Sequence, residues 1–96
     1  MSQRQLVLQN VSMSTSGHEY SVTIPPGAIN VHIKLRDATN SMIVYTTSVG
    51  NTTPSVYYTV DPGTEYRMDT KMDGQIIYMQ GSAASVVAEV GYFLDQ

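Results

Sequence analysis

Residues 20–36 read YSVTIPPGAINVHIKLR, and they decide the fold class. Tyr20, Val22 and Ile24 alternate with Ser21 and Thr23. After Pro25, Pro26 and Gly27, Ile29, Val31, Ile33 and Leu35 alternate with Asn30, His32, Lys34 and Arg36. A period of two places the apolar set on one face of a strand and the polar set on the other. The stretch therefore predicts two strands hinged on a turn.

The same pattern recurs outward from it. Leu6 and Leu8 share one face of a first strand or extended arm over residues 5–11, with Val7 on the other. Residues 12–17 are small and polar and read as a loop. Residues 42–47, MIVYTT, are rich in β-branched and aromatic residues, which favours a strand, but their apolar side chains fall on both faces. Residues 49–55 form the longest loop. Val56, Tyr58 and Val60 alternate with Tyr57 and Thr59, and Val86, Ala88, Val90, Tyr92 and Leu94 alternate with Val87, Glu89, Gly91 and Phe93. No stretch has a helical period. Seven or eight short strands separated by turn signals predict an all-β protein, a small antiparallel, jelly-roll-like β-sandwich. The expected division is an arm or first strand over residues 1–10 and a single sandwich domain over 11–96.

Two turns carry more detail. Thr59-Val60-Asp61-Pro62-Gly63 matches Thr23-Ile24-Pro25-Pro26-Gly27 in residue type at all positions but one. Pro fixes φ and Gly supplies φ > 0, so each is a strand running into a tight turn. The echo marks either equivalent corners of two packed sheets or merely two common Pro-Gly turns. Asp73-Gly74, between residues 65–72 and 75–80, signals a hairpin. A two-residue turn would set Met68 opposite Met79. A three-residue turn would put Tyr66, Met68, Ile76 and Tyr78 on one face. In either register Ile76-Ile77-Tyr78-Met79 shows apolar side chains on both faces. One face is the core, and the other needs cover from another element or another molecule.

Composition limits the function. A chain of 96 residues is one domain with a thin stability margin, which favours association. It has no cysteine, so no disulfide or thiolate metal site exists. Charged residues make up 14%, against about 25% in typical soluble domains. Net charge is −3 and the five Lys and Arg are scattered, which argues against nucleic-acid binding. The first residues lack the apolar run of a secretory signal, and nothing approaches a transmembrane helix. His18 and His32 stand apart from any metal-ligand spacing, and no nucleophile elbow or phosphate-binding glycine loop is present. No cofactor, metal site or catalytic activity is expected. The seven tyrosines are the most suggestive feature, since Tyr combines rigid area with a polar tip. Candidate interface residues are Leu6, Leu8, Tyr45, Tyr57, Ile77, Met79 and Phe93.

Ile24-Pro25-Pro26-Gly27-Ala28, Val31-His32-Ile33 and residues 74–93, GQIIYMQGSAASVVAEVGYF, carry a resemblance in strand and turn style. The chain resembles small virion structural proteins of tailed bacteriophages. The resemblance implies a protein made in the host cytoplasm and assembled onto the virion. It would be a head decoration (cement) protein binding the major capsid protein or another virion protein, as a homo-oligomer, with a trimer the expected form. The other expectation is a receptor- or carbohydrate-binding domain of a fibre or tail, using exposed tyrosines and the loops over 12–17 and 49–55. That style has no invariant motif, so no functional residue is carried over from it.

Overall fold

The computed structural model describes residues 4–36, 39–69 and 73–95. Eight strands run in chain order: β1 (Arg4–Met13), β2 (Tyr20–Pro26), β3 (Ile29–Leu35), β4 (Met42–Tyr45), β5 (Tyr58–Val60), β6 (Glu65–Met68), β7 (Asp73–Gly81) and β8 (Val86–Asp95). No helix occurs among the described residues. The strands form two antiparallel four-stranded sheets, ordered β1-β8-β3-β6 and β2-β7-β4-β5. The first strand thus pairs with the last, the second with the seventh, the third with the sixth and the fourth with the fifth. The chain is one long hairpin, bent so that it contributes to both sheets.

Alternation decides which residues meet between the sheets. Val31, Ile33 and Leu35 of β3 and Val86, Ala88, Val90 and Tyr92 of β8 are buried from the first sheet. Val22 and Ile24 of β2, Met42 and Val44 of β4, Val60 of β5, and Ile77 and Met79 of β7 are buried from the second. These residues form one continuous core. Each fully buried aliphatic side chain there contributes roughly 1.5–3 kcal/mol of transfer free energy.

The echoed turns are equivalent corners. Both carry the chain from the second sheet to the first, one from β2 to β3 and the other from β5 to β6. The Ala28 amide donates to the Pro25 carbonyl at 3.3 Å, and the Thr64 amide donates to the Asp61 carbonyl at 3.1 Å. Gly27 and Gly63 have φ of 87° and 74°, the left-handed conformation that glycine adopts without a Cβ clash. The stretch over 20–36 is thus not a hairpin within one sheet but a strand, a corner and a strand of the opposite sheet.

Asp73-Gly74 also serves a different purpose from the expected one. β6 pairs with β3 and β7 pairs with β2, so residues 65–68 and 75–80 lie in different sheets and Met68 does not face Met79 as a partner. The two residues belong to β7, with Asp73 opposite Pro26. Gly74 has φ 94°, and a Cβ there would lie 3.0 Å from Pro26 Cγ. The glycine permits close approach of two strands instead of a two-residue turn.

Of the arm or first strand expected over residues 1–10, residues 1–3 lie outside the described residues and the rest belong to β1, which pairs with β8 along its whole length, from Arg4 opposite Asp95 to Met13 opposite Val86. Ile77 and Met79 are core residues and not surface anchors: they point between the sheets, and their exposed neighbour is Ile76.

Candidate functional site

Both sheets send apolar side chains outward, and the two outer faces are treated differently. On the second sheet, Tyr45 points away from the core yet is buried. Its ring stacks on Tyr78 of the neighbouring strand, with centroids 5.9 Å apart. The loop joining β4 to β5 folds over it. The Glu19 carboxylate organises this cover: it accepts from Tyr45 Oη (2.9 Å), Ser48 Oγ (2.7 Å) and the Val49 amide (2.9 Å). Gln80, also buried, donates to Tyr45 Oη at 2.9 Å and to the Thr52 carbonyl at 2.7 Å. Asn51 Oδ1 accepts from the Glu19 amide at 3.1 Å, and Pro54 is buried under the same loop.

The network shifts two protonation equilibria. The Ser48 hydroxyl and then the Val49 amide stabilise the Glu19 carboxylate and hold its pKa below the ordinary value, against a smaller opposing effect of burial. Burial pushes the Tyr45 phenol up to about 12, and the facing Glu19 adds to the rise while Gln80 opposes it. Tyr45, expected as an interface residue, is therefore used up inside its own chain.

The outer face of the first sheet has no such cover among the described residues. Leu6 and Leu8 of β1 are 50% and 69% exposed. The register sets Leu6 beside the half-buried Phe93, and Leu8 beside Gly91. His32 of β3 flanks Gly91 from the other side. A Cβ on Gly91 would lie 2.5 Å from His32 Nε2 and 3.1 Å from Leu8 Cδ2, so both side chains lie over bare glycine backbone. His32 Nδ1 donates to the Asn30 carbonyl at 3.1 Å, which fixes the ring. Ion pairs Arg36–Glu89 (3.0 Å) and Arg67–Glu65 (2.9 Å) border the strip. An apolar centre with a polar rim is the anatomy of a contact surface.

A third feature lies at the opposite edge. Inward-pointing Tyr58 of β5 meets Tyr66 of β6 across the gap between the sheets, with ring centroids 4.9 Å apart. Beside them opens a cavity of about 430 Å³, lined by Val56, Tyr57, Tyr58, Tyr66, Met68 and Gln75 among others. Tyr57 is exposed at its mouth, and Val56 and Tyr58 are 84% and 63% exposed. Tyr57 is the one exposed candidate interface residue of the sequence that lies here; alternation marks Tyr58 only as a strand residue and gives no sign that it meets Tyr66. Their meeting depends on the corner at residues 61–63, which folds two neighbouring strands into opposite sheets.

Comparison adds a likeness of fold. The chain is similar to a solved structure described as a solution NMR structure of a de novo designed double-stranded beta-helix. The TM-score is 0.51 at 15% identity, over 96% of this chain and 99% of that one. No protein-family model and no curated protein matches the chain. Among the described residues no group of three or more His, Cys, Asp or Glu is placed to hold a metal ion, and no helix is long and apolar enough to cross a membrane.

Proposed function

We propose that this protein is a non-enzymatic virion structural protein, a capsid decoration protein that docks through the outer face of its first sheet. The observation that carries the reading is the strip of Leu6, Leu8 and Phe93, apolar, bordered by ion pairs and left without cover by the other described residues. The strand orders support a jelly-roll connectivity, an architecture that recurs in viral capsid domains. β1 adds a second means of attachment. It is a ten-residue edge strand with no Pro and with Arg4, at its start, as its one charged residue, so charge and Pro, the devices that commonly block edge pairing, are sparse along it. A partner strand can extend such an edge through main-chain hydrogen bonds.

In this reading the partner is the major capsid protein or another virion protein. The protein acts as a homo-oligomer, with a trimer suited to three-fold positions of a shell. Each copy adds modest contact area, and many copies together hold the shell against internal pressure. The test mixes the purified protein with mature shells prepared without it and reads co-sedimentation and the shell melting temperature. Saturable binding with a raised melting temperature is the expected result. Shells that neither bind the protein nor gain stability contradict the proposal.

A further inference from the structure

We infer that the cavity between β5 and β6 is a binding site for a neutral sugar, separate from the docking strip. β6 and β1 are opposite edges of the first sheet, so a ligand at one leaves the other free. Three observations select the ligand class.

The walls are aromatic and aliphatic: Tyr57, Tyr58, Tyr66, Met68 and Val56. Tyr58 and Tyr66 pack ring against ring in this wall, and aromatic surface of this kind, with its negative quadrupole, suits the slightly positive C–H groups on one face of a pyranose. The mouth is open to water, as the exposure of Val56, Tyr57 and Tyr58 shows. A wholly apolar ligand would stay half wetted there, whereas a sugar turns its hydroxyls to solvent. The polar groups of the lining are uncharged, and no Asp, Glu, Lys, Arg or His lines the cavity among the described residues. Half-buried Gln75 makes no side-chain hydrogen bond among the described residues and offers both a donor and an acceptor. An uncharged lining favours an uncharged ligand, since a charged group would lose hydration without gaining a partner. The volume of about 430 Å³ lies toward the small end of the roughly 300–1,000 Å³ typical of ligand sites, which sets the ligand at a mono- or disaccharide.

The loops over 12–17 and 49–55 are poor rivals for this role. Tyr20 Oη engages Ser14 Oγ and the Thr15 amide, and the second loop spends its polar groups on Glu19 and Gln80.

The test is an amide NMR titration with a panel of neutral methyl pyranosides that differ in anomer and in axial or equatorial hydroxyls, with glucuronate and cyclohexanol beside them. Members of the panel are expected to shift the amides of residues 57, 58, 66 and 75 saturably, with Kd on the order of 1 mM. Tyr58→Ala, which removes an exposed ring and leaves the core intact, weakens binding about tenfold, and Gln75→Ala weakens it several-fold. Leu8→Asp leaves it unchanged, so failure of shell docking and failure of sugar binding are told apart. Three results would overturn the inference: no saturable shift from any neutral pyranoside at about 50 mM, glucuronate or cyclohexanol binding as tightly as the sugars, or full affinity in Tyr58→Ala.

Discussion

The two outer faces of this sandwich pose one physical problem and resolve it differently. Each sheet carries apolar side chains on the side away from the core. On the second sheet the chain covers part of its own outer face: the loop between β4 and β5, bound to Glu19 and Gln80, buries Tyr45, while Ile76 of β7, outside that cover, stays 44% exposed. On the first sheet Leu6 and Leu8 remain in water, with Leu8 and His32 both lying over Gly91. An outward apolar residue is thus not by itself a sign of a partner. In the proposed reading it becomes one where no loop of the described residues folds over it.

The largest effect that separates the faces is expected from truncation to alanine. Tyr45→Ala should cost about 3 kcal/mol or more in chemical denaturation, as for other buried aromatics. Leu8→Ala, equally outward-pointing, should change stability by no more than about 0.5 kcal/mol. Similar losses at the two positions would erase the distinction.

Gln80→Leu comes next. It preserves bulk but leaves Tyr45 Oη without its Gln80 donor and the Thr52 carbonyl without a partner, for a loss of about 1–3 kcal/mol. Proteolysis at residues 49–55 should speed up in that variant, and an unchanged rate would show that the amide is not what fastens the loop.

Smaller again is the pH dependence of the cover. Because the folded state depresses the Glu19 pKa, its contribution is complete above the ordinary Glu value of about 4.3 and fades as pH falls through the lower folded-state value. The Tyr45 phenol behaves oppositely: its raised pKa gives a contribution complete below about pH 10 and lost as pH rises through about 12. Glu19→Gln should abolish the acid step and move the phenol titration back toward its ordinary value, read by ultraviolet absorbance. An unchanged phenol titration in that variant would uncouple the two groups.

The smallest effect on stability belongs to Leu8→Asp, within about 0.5 kcal/mol in the free protein. Shell binding, by contrast, should be lost. A variant that binds normally would remove the strip from the docking surface.

Much of the fold was legible because alternation reports burial directly. Val22, Ile24, Val31, Ile33 and Leu35 are core residues, as their period indicates, and so are Val86, Ala88, Val90 and Tyr92. The paired Pro-Gly corners were legible for a similar reason, since local backbone demands leave a local trace. Sheet membership left none. A period of two is the same in either sheet, so Asp73-Gly74 carries the signal of a hairpin turn although its glycine serves contact with Pro26. The cover over Tyr45 was equally hidden, because Glu19 and Gln80 reach the loop from distant parts of the chain. Of the expected contact residues, Leu6, Leu8 and Tyr57 are exposed and Phe93 is half-buried, whereas Tyr45, Ile77 and Met79 are buried. The four β7 residues 76–79 show why: their apolar run identified a two-faced strand, but only the pairing with β2 and β4 assigns Ile77 and Met79 to the core.

The difference between the two faces is tested most directly by side-chain footprinting of the protein free and bound to shells. Hydroxyl-radical labelling of Leu6, Leu8 and Phe93 should fall sharply on binding, while Val56 and Tyr58, at the far edge, keep their labelling. Unchanged labelling of Leu6 and Leu8 in the bound form, with protection at Val56 and Tyr58 instead, would contradict the account.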